Sequence, residues 1–380
     1  MIETRSPNSF SSTSADQPTI RIGPANEALE TNFAPQANGD AQWLQLIWQQ
    51  AEQKANAWSQ DPQAGTLPYM LAIDEIQVIP NWSQIIKGLW DSARERDIPM
   101  NVVLLGSAPL LIQKGLTESL AGRYELLKMG HWSFQEMDAA FGLSLEEYIF
   151  FGGYPGSAQL IGDENRWRSY IRESLVEPNI QRDILALERV DKPALLRQLF
   201  ELGCAYSSQI LSLDKATRQI SGHVQTLAHH LTLLDHAGLL GGLYKYADQA
   251  VRVRASPPKF QVHNNALMSV TTAQTFEQAQ ADRSYWGRLS ESAIGSHLLN
   301  LRDSDTTLFY WRDSDLEVDF VLQHRGQLLG IEVKSGRPGT AQKGLSEFQR
   351  RNPGSKTVVV GGNEVSVEDF LSQGLRDWLP

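Results

Sequence analysis

Tyr69-Met70-Leu71-Ala72-Ile73-Asp74-Glu75 is the stretch that decides the fold of the N-terminal part. Its apolar residues run without alternation and stop at two carboxylates. A strand buried on both faces of a parallel sheet has this continuous pattern, whereas a half-exposed strand alternates. Val102-Val103-Leu104-Leu105 repeats it and ends at Gly106-Ser107, and Ile85 to Arg96 between them reads as a helix. Strand, helix, strand makes a right-handed crossover, so Asp74, Glu75 and Ser107 are expected on one C-terminal sheet edge. Upstream, Leu44, Ile47, Trp48, Ala51, Ala55 and Trp58 fall at helical spacing, which predicts an amphipathic helix from Ala41 to Trp58. Residues 1–38 carry little hydrophobic periodicity and read as flexible.

The chain has 380 residues, enough for two or three domains with separate cores. Lys and Arg number 34 against 44 Asp and Glu, a net charge of −10. That balance excludes nucleic-acid binding through global charge and leaves only a local patch. The single cysteine, Cys204, excludes a disulfide framework or multi-cysteine zinc site and fits a reducing compartment. No stretch approaches a membrane span, and the start lacks a charged-then-apolar signal pattern. A cytoplasmic protein without a membrane partner is the expectation.

The last hundred or so residues change rhythm. A helix from Trp286 to Leu301 precedes strands at Thr307–Arg312, Glu317–Gln323 and Gln327–Lys334, with His324-Arg325-Gly326 as a hairpin turn. A helix at Gln342–Arg350 and a strand at Thr357–Gly361 complete an α-β-β-β-α-β order. Asp319 on one hairpin strand and Glu332-Val333-Lys334 on the next form a PD-(D/E)XK arrangement. In that chemistry two carboxylates hold Mg2+ while Lys334 steadies the attacking water or the scissile phosphate. Glu291, on the preceding helix, is the candidate for a further acidic ligand. The plainer alternative is a charged solvent face on a half-buried hairpin.

The middle is helical, interrupted at Gly152-Gly153-Tyr154-Pro155. Leu195 to Gly203, a turn from Ser207 to Leu213, and Gly222 to Ala237 outline a winged helix, with Leu227, Leu231 and Leu234 facing inward. Leu243 to Val253 alternates like its wing. The last helix offers His223, Gln225, Thr226, His229 and His230 but no Lys or Arg. Lys215, Arg218, Lys245, Arg252 and Arg254 lie nearby, so a spacer or protein-binding module is favoured over DNA contact. His229 and His230 lack a partner at ligand spacing and read as helix surface.

A strand ending Asp-Glu matches the second nucleotide motif of P-loop ATPases, where Asp orders magnesium and Glu polarises water. Leu71-Ala72-Ile73-Asp74-Glu75-Ile76-Gln77, Trp82, Leu105-Gly106-Ser107 and Ser119-Leu120-Ala121-Gly122-Arg123 follow in a distinctive order. So do Glu147-Tyr148, Gly152-Gly153-Tyr154-Pro155, Arg182-Asp183, Tyr310-Trp311-Arg312, Glu317-Val318-Asp319-Phe320 and Glu332-Val333-Lys334. Together they resemble the prokaryotic AAA-type ATPase family with an uncharacterised C-terminal domain. The resemblance implies ATP and Mg2+ at Asp74 and Glu75, Ser107 near the γ-phosphate, and Arg123 as an arginine finger.

Two departures stand out. The family's Gly-rich loop ending Gly-Lys-Thr or Gly-Lys-Ser has no counterpart before Asp74, where Lys54 is the sole lysine. Its loss removes the backbone nest and cation that hold phosphate, which disfavours autonomous hydrolysis. A late or replaced gene start and a pseudo-ATPase are the two explanations, and either leaves a sheet edge uncovered. The second departure is Asn265-Ala266, where relatives carry an acidic residue before Gly-Leu.

The expected fold is α/β and multidomain: a partial P-loop-type parallel sheet, a helical and winged-helix middle, and a C-terminal restriction-endonuclease-like domain. Its expected boundaries are 1–38 flexible, 39–135 truncated AAA-like, 136–190 a helical lid region, 191–258 winged-helix-like and 259–380 nuclease-like. Three functions compete: an ATPase-like protein with impaired ATP binding, a magnesium-dependent nuclease, and a non-catalytic DNA- or protein-binding scaffold.

Overall fold

The computed structural model describes residues 29–33, 41–61, 68–106, 119–185, 190, 192–247, 256–334, 341–362 and 365–378. The chain is mixed α/β and divides into two compact units, residues 1–127 and 128–380.

The first unit is built on a small parallel sheet of β1 (Leu29–Phe33), β2 (Tyr69–Asp74) and β3 (Met100–Leu104), in that spatial order. β2 lies in the middle, which explains its unbroken apolar run: Leu71 and Ile73 are fully buried. Part of the stretch expected to be flexible is therefore strand, since Leu29–Phe33 pair with Met70–Asp74. Helix α1 (Ala41–Ser59) buries Leu44, Trp48, Ala51 and Ala55, the stripe its sequence spacing sets out. Helix α2 (Trp82–Glu95) adds Trp82, Ile86 and Ala93 to the same core. Glu52, on α1, accepts from Trp48 Nε1 at 2.9 Å and takes both Arg96 guanidinium nitrogens at 2.7 Å. β3 stands at one edge of the three-stranded sheet, with Val102, Val103 and Leu104 half-buried.

The second unit begins with α3 (Phe134–Phe141) and α4 (Leu145–Phe151), each opened by a capping box, Ser133 with Glu136 and Ser144 with Glu147. Glu147 thus fixes a helix start. Gly152, which ends α4, has φ 73° and ψ −170°, a backbone region open in practice to glycine alone. Its neighbour Gly153 donates its N–H to Asn264 Oδ1 at 3.1 Å, and any side chain there would meet the Trp132 carbonyl. The Gly-Gly pair is a close-approach device.

Next come α5 (Glu164–Ser169), α6 (Pro193–Ala205), β4 (Gln209–Ile210), α7 (Leu213–Ile220) and α8 (Val224–His236). Leu227, Leu231 and Leu234 face inward as expected, but His230 is also buried, at 2% exposure, rather than on the helix surface. β5 (Leu240–Lys245) and β6 (Lys259–Val262) follow, then α9 (Asn265–Thr271), α10 (Phe276–Ala281) and the long α11 (Arg283–Asn300). The chain continues through β7 (Thr306–Asp313), β8 (Leu316–His324), β9 (Gln327–Val333), α12 (Ala341–Arg351), β10 (Lys356–Val360), α13 (Val367–Leu371) and α14 (Leu375–Trp378). The α-β-β-β-α-β order is present within one residue of its expected bounds, except that the first helix starts three residues earlier, at Arg283. Arg325 and Gly326 both have positive φ, 47° and 84°, the conformation a tight two-residue hairpin demands.

One seven-stranded sheet, in the order β10-β9-β8-β7-β5-β6-β4, runs through the boundary expected at 258/259. β5, expected as a wing strand, pairs in parallel with β7 and antiparallel with β6. Leu243, at its inner face, joins Leu308, Phe320 and Ile331 in one core. Pairing between strands this far apart in sequence leaves no local trace, so it was not legible beforehand.

Asn265 illustrates how the second sequence departure is accommodated. It is 3% exposed, and its Nδ2 donates to the carbonyls of Ile149 and, at 3.0 Å, Leu289. A carboxylate of the same shape would point at two carbonyl oxygens. Asn265→Asp is therefore expected to cost about 2–3 kcal/mol, the penalty for unpaired buried polar groups. Urea unfolding checks it, and an unchanged midpoint at pH 7 would refute the assignment.

Candidate functional site

In the first unit, Asp74 and Glu75 sit where the central strand ends. Leu105 N–H bonds the Ile73 carbonyl at 2.8 Å and Ile76 N–H bonds the Leu105 carbonyl at 3.2 Å, so β2 and β3 end together. Asp74 Oδ1 accepts the Glu75 N–H at 2.9 Å. Glu75 has φ 54°, a left-handed conformation that costs a non-glycine residue about 1 kcal/mol. Gln77 Nε2 holds its carboxylate at 2.6 Å. Strain retained at a residue whose side chain is also positioned is a common mark of a working site. Ser107 lies outside the described residues. Arg123 forms a two-pronged ion pair with Asp91 of α2, Nε to Oδ1 at 2.8 Å and Nη2 to Oδ2 at 3.2 Å. That pairing draws the Asp91 carboxyl below its usual range. Arg123 is thus engaged with α2.

In the second unit, Asp319 on β8 and Glu332 on β9 lie on neighbouring antiparallel strands. Phe320 pairs with Ile331, which sets their neighbours Asp319 and Glu332 side by side. Asp319 Oδ2 accepts the Val333 N–H at 2.8 Å. Glu291, one-fifth exposed on α11, reaches the same place. The residue the sequence did not single out is Lys259 of β6, 1% exposed. Its Nζ lies 2.7 Å from Glu291 Oε1, 3.5 Å from Asp319 Oδ1 and 4.0 Å from Glu317 Oε1. It also donates to the Asp319 carbonyl at 3.1 Å and stands 4.8 Å from the centre of the Phe320 ring.

The electrostatics follow from these contacts. Burial alone would push the Lys259 amine down, but Glu291, Asp319 and Glu317 outweigh it and hold the ammonium charged far into alkali. Burial raises the Glu291 carboxyl despite Lys259. Glu332 is raised further, by burial and then by Asp319, and its Oε2 is buried without a hydrogen-bond partner. Glu317 is raised by burial as well.

Lys334 stands apart from this group. It follows the last residue of β9, its N–H bonds the Val360 carbonyl at 2.8 Å, and its ammonium lies over Gly362. Of the C-terminal site residues expected, Asp319, Glu332 and Glu291 come together and Lys334 does not.

Mg2+ does not fit this cluster as it stands. Among the described residues, no three His, Cys, Asp or Glu form a metal-holding group. The seat between the carboxylates is taken by an ammonium. A divalent ion 4 Å from that nitrogen would be repelled by about 8 kcal/mol at an effective dielectric near 20. The winged-helix cations give no clearer site: Arg218 pairs with Asp214 at 2.9 Å, and Arg252 and Arg254 lie outside the described residues, as do the side chains of Arg182 and Asp183.

Residues 25–138 match the AAA domain family, and residues 286–372 match a C-terminal domain of unknown function, DUF4143. The two matches support an AAA-type ATPase resemblance for the N-terminal part, joined to a C-terminal domain of unknown function. Between them, residues 142–278 match a second domain of unknown function, DUF8612. Uncharacterised proteins of Mycobacterium tuberculosis (Rv2008c) and Mycobacterium bovis (Mb2031c) are each 24% identical over 269 residues, 70% of this chain and 58% of theirs. An uncharacterised protein of Methanocaldococcus jannaschii (MJ1544) is 30% identical over 121 residues, 28% of this chain and 26% of its own. The chain thus spans little more than half the length of its mycobacterial relatives. A solved protein of Vibrio cholerae (VC1899) aligns over 92% of this chain and 93% of its own at 14% identity, but its TM-score of 0.18 establishes no shared fold. Among the described residues no helix is long and apolar enough to cross a membrane.

Proposed function

We propose that this chain holds ATP with magnesium weakly at the Asp74–Glu75 edge and does not hydrolyse it unaided. The observation that carries the proposal is the placement of both carboxylates at the C-terminal end of the middle strand of a parallel sheet. Ligands of open α/β sheets bind outside those strand ends. Asp74 and Glu75 have the oxygen chemistry that magnesium takes through water, and magnesium would neutralise phosphate charge there. Glu75, fixed by Gln77, is placed to orient water. The phosphate cradle is what these 380 residues lack, since no Gly-rich loop ending Gly-Lys-Thr or Gly-Lys-Ser precedes Asp74. Preorganised donors of that kind contribute about 3 kcal/mol each to a transition state. Weak retention without turnover is the behaviour proposed for these 380 residues.

The second unit, on this proposal, is a non-catalytic module. The element order of α11, β7–β9, α12 and β10 supports a restriction-endonuclease-like framework for it. Its cluster, holding Lys259 where a nuclease needs metal and missing Lys334, supports a scaffold over cleavage.

Calorimetry of the full chain with Mg·ATP tests the first half. Saturable heat at millimolar ATP is expected, weakened at least about tenfold, or about 1.4 kcal/mol, by Asp74→Ala. No heat from the wild type would sink the proposal. Phosphate release above background that Asp74→Ala abolishes would overturn the absence of turnover.

A further inference from the structure

We infer that Lys259 is the resident cation of the C-terminal carboxylate cluster, occupying the seat that a divalent metal would need. An ammonium has three N–H donors, and here it is surrounded by oxygens. One is donated to the Asp319 carbonyl at 3.1 Å, and the charge is ion-paired with Glu291 Oε1 at 2.7 Å and Asp319 Oδ1 at 3.5 Å. These are ammonium distances; magnesium would require oxygens at about 2.0–2.1 Å.

The carboxylates come from three separate elements and converge on one point. Glu291 is on α11, Glu317 and Asp319 are on β8, and Glu332 is the neighbour of Asp319 on β9. Lys259 reaches that point from a fourth element, β6, which β5 separates from β7 in the sheet. Its stem is enclosed: every residue of β6 is buried, and the Phe320 ring covers one side of the charge. The cation is therefore built in by the chain rather than taken from solution. Val333 N–H holds the other Asp319 oxygen at 2.8 Å, so the carboxylate is oriented without a metal's help. The cluster thus joins β6, α11, β8 and β9 through a charge that cannot be chelated away.

Mn2+ is the probe, titrated into the full chain and followed by calorimetry and by thermal unfolding. The wild type is expected to show no saturable uptake assignable to this cluster, and EDTA leaves its unfolding temperature unchanged. Lys259→Ala empties the seat and is expected to take up one Mn2+ at least about tenfold more tightly than the wild type, with a matching rise in unfolding temperature. Lys259→Met fills the seat with apolar volume and is expected to gain no such uptake. Wild-type Mn2+ uptake that Asp319→Asn removes would overturn the inference, even if Lys259→Ala does not fold. A folded Lys259→Ala that takes up no Mn2+ would overturn it as well. Uptake that Asp74→Ala removes belongs to the N-terminal edge and bears on the nucleotide proposal; the same titration in the Asp74→Ala background isolates the cluster.

Discussion

Lys259→Met is expected to destabilise the chain by about 3–5 kcal/mol, the usual consequence of removing one partner from a buried ion pair. The substitution keeps most of the volume and hydrophobic stem, so packing loss is small. What it leaves behind is Glu291 facing Asp319 without the Lys259 counter-charge, while Glu317 keeps Arg312 at 4.0 Å. For a unit of this size each kcal/mol moves the unfolding temperature by about 2–4 °C, so a fall near 10 °C is the readout. In an Glu291→Gln background the same substitution should cost less, because one of the stranded charges is already gone. Equal losses in the two backgrounds would mean that Lys259 matters for packing alone. The interaction energy from the double-mutant cycle, not the single loss, is the quantity that decides between charge and shape.

The chain's local chemistry was written plainly in its sequence, and its long-range assembly was not. β2 announces itself through an unbroken apolar run because a central parallel strand buries both faces, and β3 shows a similar run although it lies half-buried at the sheet edge. The hairpin at Arg325-Gly326 announces itself because only certain residues accept positive φ there. Asp319 and Glu332 were legible as neighbours because hairpin register follows from turn length. Lys334, one residue past β9, carries on the ladder by bonding the Val360 carbonyl, while its ammonium lies over Gly362. β1 escaped notice because a short edge strand has too few residues to show a period. Lys259 escaped because nothing near it in sequence hints at carboxylates that lie on α11 and β8. Its one signal was a charged residue and a glutamine inside the short run Lys259-Phe260-Gln261-Val262. Gln261 proves equally buried, donating to the carbonyls of Ser292 and Val262 at 2.9 and 3.0 Å. Polar residues in a short buried strand mark places where elements distant in sequence meet.

Stability should respond to pH through two opposed sets of groups. His297 is 4% exposed, its Nε2 bonded to the Gln373 carbonyl at 3.1 Å, and burial lowers it to about 4. A group held neutral in the fold binds fewer protons folded than unfolded. Its contribution is therefore complete above pH 6.5 and lost as pH falls toward 4, about 3 kcal/mol in all. His131, its ring bonded to the Gly238 carbonyl at 3.0 Å, is likewise lowered to about 4 by burial. Glu332 and Glu291 work the other way. Their folded values are raised above 4.5, so the stability they allow is complete below 4.5 and lost as pH rises through those values. Between pH 4.5 and 6.5 the two sets offset each other, and above 6.5 only the carboxyls still titrate. The wild type is expected to be nearly flat across the first window and to weaken above it. Glu332→Gln copies the protonated side chain and removes one acidic slope. Its urea midpoint should match the wild type at pH 4.5 and draw ahead by about 1.4 kcal/mol per pH unit from there upward. Parallel curves for the two proteins from pH 4.5 to 8.5 would show that Glu332 is ionised in the fold and that Lys259 neutralises more of the cluster than its distances imply.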